Sequence, residues 1–136
     1  ELTMTATPPV ETVETYFTHL AQGNVEQAMA VLDPDVAWHQ PGDNRFSGVH
    51  RGPDAIRALI GGMMEATGGT FAVAPTGPLM ANEDVVAAPV RFTGHRDGRE
   101  LDQPGVDLLT VRDGRIVEVR LFSSDGPAED QFWGKA

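Results

Sequence analysis

The chain has 136 residues with 40% hydrophobic and 22% charged residues, enough for one domain that buries its own core. It contains no cysteine, which excludes disulfides, thiolate nucleophiles and cysteine-ligated zinc and fits a reducing, cytoplasmic setting. The net charge of −10 repels phosphate backbones and anionic lipid and so speaks against nucleic-acid and membrane partners.

No apolar run approaches the roughly 18 residues of a spanning helix, and no secretory leader is visible. Met4 reads as a natural start with Glu1-Leu2-Thr3 as a remnant ahead of it, and residues 1–7 as a flexible segment before a single domain covering 1–136. Thr7-Pro8-Pro9 reads as a helix entrance, a capping hydroxyl followed by prolines in the first turn, where no amide donor is missed. Val10, Val13, Phe17 and Leu20 then recur at helical spacing with Tyr16 on the edge of the stripe. Gly23 ends that helix. Asn24 and Gln27 have capping-box spacing for a second one, carrying Val25, Ala28, Met29 and Leu32 and closed by Pro34.

Val36–Gln40 reads as a strand, Pro41–Gly52 as a glycine-rich loop, and Pro53-Asp54 as the start of a third helix with Ile56, Leu59, Ile60 and Met63 on one face. From Thr70 the apolar period falls from about four to two. Phe71–Val73, Val85–Thr93, Val106–Val111 and Arg115–Ser123 are expected strands, and Asp97-Gly98 and Asp113-Gly114 expected hairpin turns. Asp125-Gly126-Pro127 leaves the sheet, and Ala128–Lys135 reads as a short last helix with Phe132 and Trp133. Helices first and hairpins after give an α+β class, a curved antiparallel sheet wrapped on helices as a cone, with a pocket at the open end.

Within that frame the chemistry-bearing residues are few. Asp107 interrupts the apolar run "GVDLLTV", where aspartate is unfavourable in a strand. Burial would keep it a neutral acid, whereas Arg120 beside it would hold it ionised. Strand parity aims Gln40 and Trp38 into the cone and His39 out. The last strand admits two registers: Phe122, Arg120, Glu118 and Ile116 inward, or Val117, Val119 and Leu121 inward. Phe46, Phe71, Met63, Met64, Met80 and Phe92 are candidate cavity lining, by default core. His19, His39, His50 and His95 are scattered without i, i+4 spacing or an HExxH motif, so no metal is expected. His95, near a hairpin tip, is held as an acid–base candidate at a cavity mouth. No nucleotide fingerprint or nucleophile elbow occurs, so no cofactor is implied.

Three stretches, "VETYFTHLAQGNVEQAMAVLDPDVAW", "FSGVHRGPDAIRALI" and "GVDLLTVRDGRIVEVRLF", resemble the NTF2-like superfamily, and specifically its ketosteroid-isomerase and SnoaL-like branches, over roughly Pro9 to Asp125. That resemblance implies the cone, a cystatin-like α+β barrel, and a homodimer paired through the outer sheet face. It matches Tyr16 and Asp107 to the isomerases' oxyanion-binding Tyr and Asp. It puts Gln40 where their proton-transferring Asp stands, and a Gln amide cannot take a proton at neutral pH. Similarity to SnoaL-like cyclases gives Asp107 the base role instead, with Gln40 as donor. Similarity to epoxide hydrolases of this fold is weaker, because Phe92 in "VRF" replaces their Asp.

The catalytic candidates are therefore Asp107, Tyr16 and Gln40, and the substrate-contacting candidates Trp38, Phe92, Phe122, Arg120, Met63 and His95. Three readings follow. The first is a cofactor-independent isomerase or cyclase acting on an apolar, polycyclic or polyketide-type molecule, with epoxide opening as a variant. The second is a small-molecule-binding protein without chemistry, and the third an interaction module whose cone is filled by side chains.

Overall fold

The computed structural model describes residues 7–135; the reading of Met4 as a start and, but for Thr7, that of residues 1–7 as a flexible segment lie outside it. The order is α1 (Pro9–Ala21), α2 (Val25–Ala30), β1 (Leu32–Gln40), β2 (Gly48–Arg51), α3 (Pro53–Ala66), β3 (Ala72–Pro75), β4 (Met80–Asn82), β5 (Val85–Arg96), β6 (Arg99–Arg112), β7 (Arg115–Ser123) and α4 (Gly126–Trp133). Seven strands form one curved, unclosed sheet in the order β2-β1-β7-β6-β5-β3, with β4 pairing the far part of β5. The α+β class and the helix-wrapped sheet stand. The sheet is mixed rather than wholly antiparallel, because β1 runs parallel to β7.

The core lies between the concave face and the helices. Val13, Tyr16 and Phe17 of α1 and Ile56, Leu59 and Met63 of α3 meet the inward residues of the strands. Alternation places Val86, Ala88, Val90 and Phe92 of β5 and Leu101, Gln103, Asp107, Leu109 and Val111 of β6 on that face. Both Asp-Gly turns form as expected, with positive φ at Asp97, Gly98, Asp113 and Gly114.

Several local expectations are corrected. Thr7 does not cap α1, whose N-cap is Pro8, and Asn24 gives its side chain to Gln22 instead of a capping box. Pro34 does not close a helix. The strand already starts at Leu32, and Asp33-Pro34-Asp35 bulge out between Leu32, opposite Ile116, and Ala37, opposite Glu118. A bulge is where a strand tolerates proline. The glycine-rich loop contains strand β2, and β4 was not anticipated; both are short edge segments without apolar alternation.

The two registers of the last strand turn out to be halves of one answer. Thr110 pairs with Glu118 but Val111 with Ile116, so Val117 is an extra residue in β7. The bulge changes inward parity, so Ile116 on one side and Val119 and Leu121 on the other are all turned to the core. Arg120 is consequently on the outer face, where it contacts Glu118. Phe122 is half-exposed, and its outer-face neighbour across β6 is the exposed Val106.

Candidate functional site

The concave face, α1, α3 and α4 enclose a cavity of about 410 Å³, within the range that takes a small organic ligand. Its walls are mostly apolar: Phe17, Leu20, Ile60, Met63, Phe71, Phe92 and Leu121 among them. Tyr16, Gln40, Asp107 and Glu129, each nearly buried, converge on it, with the half-buried Ser123 beside Glu129. The cone is therefore not filled by its own side chains.

Asp107 sits mid-sheet on β6 between Ala88 of β5 and Leu121 of β7, and among the described residues no cation lines the cavity beside it. Burial pushes its carboxyl from 3.8 up to about 7. Of the two influences weighed from sequence, desolvation is the one that acts, because the bulge in β7 takes Arg120 to the other side of the sheet; with the carboxyl near 7, both forms are accessible around neutral pH. Tyr16 comes from α1. Burial, and secondarily the charge of Asp107, raises its hydroxyl far above the ordinary range, so it is a neutral donor at any ordinary pH. Among the described residues neither Tyr16 nor Asp107 makes a side-chain hydrogen bond within the protein.

Gln40 ends β1 two residues after Trp38, so both point inward as parity required, and His39 turns out to bond Glu118 at 3.0 Å. The Trp38 indole N–H donates to Gln40 Oε1 at 3.0 Å. An indole can only donate, so the amide must turn its oxygen to the tryptophan. That leaves the Gln40 NH₂ as the group offered to a ligand. Trp38→Phe frees the amide to rotate while keeping an aromatic wall. It is expected to weaken binding of an oxygen-bearing ligand about threefold to tenfold with little loss of fold, which titration of 2-naphthol checks. An unchanged affinity would mean that Trp38 does not orient Gln40.

Glu129 was not foreseen. It lies on the short helix expected around Ala128–Lys135, in a segment whose apolar residues gave no inward pattern. Its position comes from the joint before α4. Gln103 Oε1 accepts from the Asp125 backbone N–H at 2.8 Å and Gln103 Nε2 donates to the Asp125 carbonyl at 3.1 Å, while the Asp125 carboxylate caps the helix through the Ala128 N–H. Trp133 then anchors the helix among Phe46, Phe71 and Phe132, at ring-centroid distances of 5.0, 5.4 and 4.8 Å. Glu129 Oε1 accepts from the Ser123 hydroxyl at 2.5 Å. Burial raises its carboxyl, against smaller opposing effects of Ser123 and the nearby Trp133 indole.

Of the other expected contacts, Trp38, Met63 and Phe92 line the cavity and Phe122 stands at its rim. Two do not. Arg120 is on the outer face for the reason given. His95 is exposed near the tip of the β5–β6 hairpin, as expected, but borders a separate open groove with Arg96 and Arg99 and not the cavity. Met80 is exposed and Phe46 packs on Trp133 instead of the cavity. Among the described residues no three His, Asp or Glu side chains are grouped to hold a metal ion, and no helix is long and apolar enough to cross a membrane.

The profile of the SnoaL-like domain matches residues 13–119. The chain is 43% identical to a protein of unknown function with a cystatin-like fold from Xanthomonas campestris, whose crystal structure superposes with a TM-score of 0.90 over 95% of this chain and 100% of that one. It is 30% identical to Bal32a from a soil-derived mobile gene cassette, with a TM-score of 0.87 over 92% of this chain and 95% of that one. An uncharacterized protein of Mycobacterium tuberculosis is 32% identical over 130 residues, 96% of this chain and 99% of the relative.

Proposed function

Because the chain belongs to the SnoaL-like domain family, we propose that it is an acid–base enzyme whose cavity takes a small apolar ketone of polycyclic or polyketide type and moves a proton next to the carbonyl. One observation carries this reading. Asp107 sits unpaired in an apolar cavity with its carboxyl near 7, beside a neutral Tyr16 hydroxyl that has no partner of its own. A base poised near the operating pH combines a useful ionised fraction with enough basicity to take a carbon-bound proton.

The chemistry follows from the donors. The ketone oxygen accepts from the Tyr16 hydroxyl and the Gln40 amide. The Asp107 carboxylate takes the proton from the adjacent carbon, and the electron pair of that C–H bond becomes the enolate, whose oxygen the two donors stabilise in a largely dry site. Returning the proton to another carbon completes an isomerisation. Attack of the enolate carbon on a second carbonyl of the same molecule closes a ring, the carbonyl's π electrons passing to its oxygen, which takes the proton back from Asp107. Gln40 serves only as a donor, because its amide has no basicity to offer.

The test uses 2-naphthol, a phenol that imitates the enolate. Tyr16→Phe is expected to weaken its binding about tenfold or more, whereas Asp107→Asn leaves it nearly unchanged. If Asp107→Asn weakens binding as much as Tyr16→Phe, Asp107 is a second donor and not the base. If neither substitution matters, both residues are structural, and the cavity belongs to a binding protein that performs no proton transfer.

A further inference from the structure

Glu129 has no part in that proton transfer. As the acid of the first turn it complements the dipole of α4, and the Trp133 indole lies near it, but a first-turn carboxylate serves the helix equally well from the solvent side. Helix α4 is already capped by Asp125, joined to the sheet by Gln103 and anchored by Trp133. A carboxyl turned into an apolar cavity costs free energy that a leucine or methionine at the same place would not. Ser123 lies opposite Gly105 on β6, one inward step along the strands from the Leu121–Asp107 pair. Two residues of strand span about 6.5 Å. The Ser123–Glu129 pair thus stands on the same cavity about that far along the strands from the proposed base.

We propose that Ser123 and Glu129 form a second ligand anchor, which receives a hydroxyl at the far end of the substrate. The Ser123 hydrogen is committed to Glu129 Oε1, which leaves the lone pairs of the serine oxygen to accept from a ligand O–H. The second Glu129 oxygen has no hydrogen-bond partner among the described residues. Together with the reading of Tyr16 and Asp107 on which it rests, this narrows the substrate class. The molecule carries two oxygens on one rigid apolar frame, a ketone at Asp107 and a hydroxyl at Glu129, separated by roughly the width of two fused rings. The two sites fix its direction in the cavity and so select which carbon faces the base.

The probes are 2-naphthol and naphthalene-2,6-diol, titrated against the wild type, Glu129→Met and Ser123→Ala, with thermal melting of each variant. The diol is expected to bind the wild type about tenfold more tightly than the monophenol. Either substitution should erase that advantage while leaving 2-naphthol affinity in place. If Glu129→Met does not fold, Ser123→Ala alone decides. The proposal is overturned if the diol has no advantage in the wild type, if the advantage survives in the folded variants, or if both ligands weaken together. A diol that binds through Glu129 while 2-naphthol fails to bind would support this anchor and count against the Tyr16–Asp107 reading.

Discussion

Asp107→Asn is expected to abolish proton transfer and, in the same molecule, to raise the stability of the fold above neutral pH. The kinetic half follows from the role of the carboxylate: without it, exchange of the α-protons of a bicyclic ketone such as 2-tetralone into D₂O should fall by at least about 10²-fold. In the wild type that exchange should rise with pH to a plateau, with its midpoint near 7, because the ionised form is the active one. The stability half follows from burial. In the unfolded chain the carboxyl loses its proton near 3.8, but in the fold it keeps it until about 7. Between those values the folded state binds more protons than the unfolded one, so stability falls as pH rises and is flat above about 7. The neutral amide never bears that cost. Variant and wild type should therefore melt nearly together near pH 4, and by pH 8 the variant should gain on the order of 4 kcal/mol at most, or roughly 10–15 °C. Exchange at the wild-type rate would remove Asp107 from the mechanism. Equal melting at pH 8 would mean that the carboxyl is solvated.

The second large effect concerns Trp133, which is fully buried among three phenylalanines. Trp133→Ala should cost about 3–5 kcal/mol through lost burial and the cavity left behind, a large share of the stability of a domain this size. Trp133→Phe should cost far less, because a phenyl ring keeps most of the aromatic burial and leaves a much smaller cavity. Urea unfolding of both variants measures the difference. A loss of less than about 1 kcal/mol in Trp133→Ala would show that α4 does not depend on this cluster. Because the same helix carries Glu129, a variant that frays it should also lose any preference for a diol over a monophenol.

What could be read from the chain depended on the range over which each signal acts. The apolar stripe of α1, the Asp-Gly turns and the oddity of Asp107 in an apolar strand are written within a few neighbouring residues and were legible. So were the inward aim of Trp38 and Gln40, which needs only the two-residue period of a strand, and the family match, which joins several such signals in order. The interior of the last strand was not legible, because one extra residue at Val117 reverses the parity. Arg120 was expected inward on the register that the family resemblance favours, and the register with Val119 and Leu121 inward is the one that holds beyond the bulge.

The sequence by itself determined the α+β class, the cone and the identity of Tyr16, Gln40 and Asp107 as the polar groups worth weighing. Only the tertiary structure decided their state. Asp107 is protonatable near neutrality because the strand beside it turns its arginine away. Gln40 offers its NH₂ because Trp38 occupies its oxygen. Glu129 reaches the cavity because Gln103, distant in the chain, holds the turn before its helix. Charge state and hydrogen-bond direction depend on what lies within a few ångströms in space, and a local sequence pattern carries no record of neighbours brought in from far along the chain.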